Sequence, residues 1–164
     1  MSSARPRRLN HRQRRTDHRG RHGTEEEETT MAQMIFVNLP VKDLETTVGF
    51  FGKLGFTTNP AFSDDRTACL VISDTIFAML MTEERFKDFT KKDVVDASKA
   101  TEVILALSAD SREKVDEIAD AALASGGFPA GETQDMGFMY GRSFQDPDHH
   151  IWEVMWMDEA AAQG

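Results

Sequence analysis

Cysteine is almost missing from this chain: Cys69 is the only one in 164 residues. No internal disulfide can form, and such usage suits a reducing compartment, with the cytoplasm as the expected location. Between Ala68 and Leu70 in a strand-like run, Cys69 reads as a small buried hydrophobe, because no histidine lies near it in sequence to make it a nucleophile. Long apolar runs are missing too. None reaches the roughly 18 residues that a membrane-crossing helix needs, and the N-terminus lacks the apolar stretch of a secretory signal, so no membrane partner is expected. Basic residues are scarce outside one segment. Arg5, Arg7, Arg8, Arg12, Arg14, Arg15, Arg19 and Arg21 put eight of the 19 basic residues into residues 1–30, with three of the five histidines and five of the 28 acids. That leaves 11 basic against 23 acidic residues, a formal balance of −12, which argues against nucleic acid as a partner.

Residues 1–30 hold almost no apolar side chains and are expected to be a disordered extension, with residues 31–164 as one folded domain. The arginines read either as an arm for an acidic surface or as an accidental extension. The second is preferred, because Glu25 to Glu28 followed by Thr29, Thr30 and Met31 has the form of a translated purine-rich ribosome-binding site ahead of a start at Met31.

What the remainder does contain is one pattern written twice. Phe36, Val37, Leu39 and Val41 alternate to Asp43, and a helical stretch then closes at Leu54-Gly55-Phe56; Glu102, Val103, Leu105 and Leu107 lead to Asp110, and a second stretch closes at Gly126-Gly127-Phe128. A repeated unit that cannot bury its own apolar face packs against its twin. Asp43 stands where a helix N-cap is wanted, with Val48, Phe51 and Leu54 at helical spacing; Asp110 or Ser111 caps a second helix carrying Val115, Ile118, Ala119, Ala122 and Leu123 on one face. Further strands are expected near 56–61, 68–73, 76–82, 128–132, 138–144 and 151–157, with 83–100 as a polar connection. Each module, at about 34–82 and 101–157, therefore reads β-α-β-β-β. The pair predicts an α+β domain of two facing mixed sheets with helices outside and a cleft between the sheets.

The runs Phe36-Val37-Asn38-Leu39-Pro40-Val41-Lys42-Asp43-Leu44, Leu54-Gly55-Phe56 and Asp146-Pro147-Asp148 ahead of Trp152-Glu153-Val154 resemble the vicinal-oxygen-chelate superfamily of glyoxalase I, bleomycin- and fosfomycin-resistance proteins and extradiol dioxygenases. The likeness spans residues 34–157. More narrowly, the run from Gly137 to Phe144 is similar to a bacterial lactoylglutathione-lyase-like branch. The resemblance implies a divalent metal (Zn, Ni, Mn or Fe) held by the first and last strands of each module. Its four positions fall on Phe36, on Met79 or Leu80, on Glu102 and on Glu153, so two carboxylates stand where four ligands are usual.

Three uses of Glu102 and Glu153 stay open: a reduced metal site with Asn38 as a weak further ligand, a general base beside a carbonyl, or attraction of a cationic ligand or a nearby basic residue. His149 and His150 are read as turn residues. Phe36, Asn38, Met79, Arg142 and Met155 are the candidate ligand contacts. Arg142 is expected either to bind an anionic group or, preferably, to pair with Glu132 or Asp146. Met79, Met81, Met136, Met139, Met155 and Met157 read as filling an irregular core, or as an adaptable ligand surface. The expected function is that of a lyase-type or related enzyme acting on a small oxygenated substrate; the alternative is a metal-free protein that sequesters a small organic molecule. Open sheets make a homodimer the expected assembly.

Overall fold

The computed structural model describes residues 32–162; the expectation of a disordered segment at residues 1–30 lies outside them. In the first module β1 (Ile35–Val41) leads to α1 (Leu44–Lys53), β2 (Thr57–Asn59), β3 (Thr67–Val71) and β4 (Ile76–Thr82). The second module repeats this with β5 (Ile104–Ser108), α3 (Arg112–Ala124), β6 (Phe128–Pro129), β7 (Gln134–Asp135), β8 (Met139–Gln145) and β9 (Ile151–Met157). Between them lie a one-turn helix, α2 (Glu83–Phe86), and a 3-10 turn at Lys87–Phe89; α4 (Glu159–Ala162) follows the last strand. The strand orders are β1-β4-β3-β2 and β5-β9-β8-β6, with β7 paired to β8. Each sheet is mixed, because β1 runs parallel to β4 and β5 to β9 while the other neighbours are antiparallel.

The first helix begins where the sequence places it. The Asp43 carboxylate accepts from the Thr46 N–H at 2.7 Å, which satisfies one orphan amide of the first turn. The second helix is capped by Ser111 and not by Asp110: the Ser111 hydroxyl accepts from the Lys114 N–H. Both helices run into glycines of positive φ, Gly55 at 95° and Gly126 at 102°, where a side chain would be strained. At Gly127 a Cβ would stand 2.7 Å from the Gln145 carbonyl oxygen and 2.8 Å from that of Ala122. Only glycine lets the chain pass there.

One buried cluster joins the modules on the helix side. Leu39 and Val41 of β1, Phe50, Phe51 and Leu54 of α1, Val115, Ile118 and Ala122 of α3, and Phe144, Trp152 and Val154 of the second sheet all belong to it. The Phe51 ring meets the Trp152 indole edge-on at 5.1 Å, and Phe50 lies 6.2 Å from Phe144. Aromatic pairs of this kind add to the burial of apolar area. Alternate residues of β1, β3, β4, β5, β8 and β9 turn to that cluster, and the opposite face is exposed at Phe36, Asn38, Ile104 and Ala106 but covered at Cys69 and Met81.

Two expected elements differ. The strand expected over 128–132 stops after Phe128–Pro129, since Pro129 has no N–H to donate, and the Gly131 N–H goes instead to the Ser143 hydroxyl. The pairing resumes at Gln134–Asp135, a two-residue polar strand with no periodic signal. The first strand of the second module begins at Ile104, so Glu102 precedes it in an exposed loop.

Candidate functional site

The two modules are stitched by the turn that leads into β9. Asp146 is fully buried, and its carboxylate accepts from the Trp152 indole N–H at 3.0 Å and from the backbone amides of Asp148 and His150. Burial pushes its pKa up, while the nearby His150 and the indole hydrogen bond pull the other way. Asp148 reaches across to the first module, accepting from the Lys42 amide at 2.8 Å and from the Thr47 hydroxyl at 2.6 Å. His150 Nε2 donates to the Pro40 carbonyl at 2.7 Å. His149 adopts a positive φ of 67°, stacks on Phe128 at 4.5 Å and bonds the Gln145 amide oxygen through Nδ1. Both histidines are thus turn residues, and the turn is the hinge pin between modules. Asp146 had a signal in the sequence: a tryptophan on the core face needs a partner for its indole N–H, and this acid lies six residues before it.

Beside this turn lies a cavity of about 330 Å³, near the lower end of volumes that hold small organic ligands. Its walls come from both modules and from the connection between them. Asn38 and Pro40 supply one side, His149, His150 and Ile151 another, Glu102 and Val103 a third, and Phe86 with Thr90–Ala97 the roof. The roof segment is tied down only locally: Lys92, Ser98, Lys99 and Ala100 bond within it, to Thr90 and Asp96. A second, smaller cavity of about 120 Å³ opens on the second sheet, lined by Glu153, Met139, Gly141, Ser143 and Met155. Glu102 and Glu153 therefore line different cavities. Ile104 pairs with Ile151 and Ala106 with Glu153, so Glu102 stands four residues, about 13 Å of strand, from the level of Glu153.

The observed caps give the register of the two modules directly. Seven residues before Asp43 is Phe36, and seven before Ser111 is Ile104. Two residues further along, Asn38 pairs with Met79 and Ala106 with Glu153. Equivalent open-face positions are therefore Phe36 and Ile104, and Met79 and Glu153; Leu80 is fully buried in the core. Three of these four side chains are apolar or thioether, and one carboxylate alone does not hold a divalent ion. Among the described residues no three His, Cys, Asp or Glu side chains come together. The donor set of a divalent centre does not fit the described residues.

The other candidates fall as follows. Phe36 is 51% exposed and stacks on Phe77 at 5.0 Å, outside both cavities. Met79 is half-buried beside it across the sheet. Arg142 alternates onto the helix side with Tyr140 and Phe144. It bonds Asp116 at 2.9 Å and Asp120 at 2.8 Å, both on α3, so its ion pairs go to the helix and not to Glu132 or Asp146. Hydrogen bonds from the Tyr140 hydroxyl, which contributes most, and from Arg142 keep the Asp116 carboxyl below the usual range. Two acids one helical turn apart, opposite an arginine on the helix-facing side of a strand, were the signal for this pairing. Cys69 is fully buried, and burial pushes its thiol pKa up.

A family profile described as bleomycin resistance protein-like N-terminal matches residues 33–73. No curated protein matches the sequence. Among solved structures, a hypothetical protein from S. aureus, SA1046, is 26% identical over 77% of this chain and 95% of its own, with a TM-score of 0.65. A glyoxalase/bleomycin resistance protein/dioxygenase family enzyme from Burkholderia phytofirmans PsJN is 16% identical over 77% of this chain and all of its own, with a TM-score of 0.64. The fosfomycin resistance protein FosX from Listeria monocytogenes, solved with Mn(II) and sulfate, is 18% identical over 79% and 94%, with a TM-score of 0.57. Paired βαβββ modules in two mixed sheets thus define a protein of the glyoxalase/bleomycin resistance fold. The sequence match, confined to residues 33–73, likens the first module to the bleomycin resistance proteins of the vicinal-oxygen-chelate superfamily. These comparisons do not extend to the narrower lactoylglutathione-lyase-like branch.

Proposed function

We propose that this chain is a small-molecule-binding member of the vicinal-oxygen-chelate superfamily without a divalent metal centre, and that the ligand occupies the cavity between the modules. The observation that carries this reading is a cavity of ligand size walled by both modules, while Phe36, Met79 and Ile104, which stand outside it, offer no donors for a divalent ion. Apolar walls with a few convergent polar groups are the usual makings of an organic-ligand site. Here the polar groups are Asn38, Glu102, His149 and His150, and the apolar ones Pro40, Phe86, Val95 and Ile151. A second reading, proton abstraction by Glu153, draws support from its half-buried carboxylate, which has no hydrogen-bond or ion-pair partner among the described residues.

Exposed Ile35, Phe36 and Ile104, on the strands that end each sheet path, offer apolar surface to a second copy of the chain, which favours a homodimer. No described helix is long and apolar enough to cross a membrane. The cytoplasm remains the proposed location on the strength of the single cysteine.

The test is metal analysis of tag-free protein together with thermal denaturation against a panel of small aromatic and oxygenated compounds. The expected result is protein without stoichiometric divalent metal, stabilised by members of the panel, with that stabilisation lost in Asn38→Trp, which fills the cavity. Stoichiometric Mn, Fe, Ni or Zn, lost in Glu153→Ala, overturns the reading. So does a robust metal-dependent rate with glutathione hemithioacetal, for which no turnover is expected.

A further inference from the structure

The methionines divide into two populations. Met81 is buried, as a core filler should be, but Met136 is 60% exposed and Met157 45%, which packing does not explain. The register shows where these exposed thioethers stand. Met139 pairs with Met157 across β8 and β9. On its other side Asp135 pairs with Tyr140, and the Met136 N–H continues that ladder by bonding the Met139 carbonyl at 2.9 Å. Met136, Met139 and Met157 therefore form one row across three chain segments on the open face. Met155 lies diagonally beside Met139, opposite Gly141, whose missing side chain leaves room for it.

We propose that Met136, Met139 and Met157, with Met155 next to them, form a thioether site for a soft monovalent metal ion, Cu(I). Neighbouring strands lie about 4.8 Å apart, and each methionine has three rotatable bonds, so three sulfurs in a row converge on one point above Met139. Thioethers are soft and neutral. They select Cu(I) over Zn(II) or Mn(II), which want nitrogen, thiolate or carboxylate oxygen. Glu132, Glu153 and Arg142 line the cavity that Met139 and Met155 share; with the guanidinium already paired to Asp116 and Asp120, the two carboxylates leave a negative field that draws a cation. The step is binding alone: the ion arrives and stays as Cu(I), and no electron moves. This site is separate from the cavity between the modules, and neither assignment depends on the other.

The experiment uses the full chain labelled with 13C at the methionine methyl groups. It is titrated with Ag(I) as a redox-inert probe, and with Cu(I) under anaerobic conditions against bicinchoninate. The methyl signals of Met136, Met139 and Met157, assigned by single substitutions to leucine, are expected to shift together at one equivalent, and not with Zn(II) or Mn(II). Met139→Leu should weaken Cu(I) binding at least about tenfold, since even residues that merely support metal ligands cost that much. Unchanged circular dichroism shows that a variant remains folded, and the most exposed position, Met136→Leu, serves as a second variant should Met139→Leu unfold. The proposal is overturned by methyl signals that do not move, by binding unchanged in the M136L/M139L/M157L protein, or by binding that disappears with Cys69→Ala instead.

Discussion

The open faces of the two sheets share one backbone register and differ in chemistry. In the first, Phe36 stacks on Phe77, with Asn38 and Met79 the next pair along. In the second, Ile104 stands opposite Ile151, and the next pair is Ala106 and Glu153. One face is aromatic and uncharged; the other carries a carboxylate bordered by small residues and thioethers. The helix sides of the same strands are far more alike, since Leu39, Val41, Leu80, Trp152 and Val154 all enter one core. Core positions must satisfy close packing, whereas open-face positions answer only to whatever binds there. A fold can therefore keep its scaffold while its open-face side chains differ in chemistry, and shared fold is weak evidence for shared chemistry.

The sharpest way to break the comparison is to remove what the helix sides have in common. Trp152→Ala deletes the side chain that meets Phe51 and leaves the Asp146 carboxylate without its indole partner. A loss of about 4 kcal/mol is expected in urea unfolding monitored by circular dichroism; a loss below about 1 kcal/mol means that the modules do not depend on this contact. Next, the open faces can be given the donors that a divalent ion needs. Phe36→His, Met79→Glu and Ile104→His, combined with native Glu153, are expected to create a divalent site. Zn(II) or Mn(II) at about a hundred times the dissociation constant then raises stability by about 2.7 kcal/mol, seen as a higher melting temperature absent from the parent. No metal-dependent shift in the triple variant means that the equivalence drawn between the modules is wrong.

A smaller effect is expected at the stitch. Asp148→Ala removes the acceptor for the Lys42 amide and the Thr47 hydroxyl and should cost about 1–2 kcal/mol, while Asp148→Asn retains part of it. The smallest effect lies at Asp135, whose carboxyl is lowered to about 2 by its bonds to Arg112 and the Gly137 amide. A carboxyl lowered on folding stabilises the folded state above its unfolded pKa, near 3.8, and that contribution is lost as pH falls from there through about 2. Asp135→Asn should flatten this part of the acid unfolding curve and leave stability at neutral pH little changed, because the pair is solvent-exposed.

Much of this architecture was legible because the periodicities were strict. β4 and β9 occupy the stretches expected, Ile76–Thr82 and Ile151–Met157, and Asp43 caps the first helix. Positions of weak or divided signal were harder to read. Asp110 and Ser111 both suit a cap, and the serine takes the role, so a count of eight back from Asp110, one more than separates Phe36 from Asp43, lands on Glu102 rather than on a strand residue. Gln134–Asp135 pairs through its backbone alone, leaving no trace in hydropathy. Arg142 was harder still, since its partners Asp116 and Asp120 lie on an element distant in sequence, and alternation with Phe144 was the clue that it faces the helix. A cleft was expected from the pairing of the modules, but the roof of the observed cavity was not, because it is the irregular connection, whose path no pattern dictates.

That roof bears on how the molecule could be divided. Lys91, Lys92 and Lys99 lie in an exposed stretch whose bonds are local, whereas the bond from the Lys42 amide to Asp148 joins residues 106 apart. Tryptic cleavage there would cut the polypeptide without touching the shared core. The two pieces, each a βαβββ unit with half of an aromatic interface, would stay together as a nicked complex and reassociate after separation. The chain behaves as a covalently tethered heterodimer.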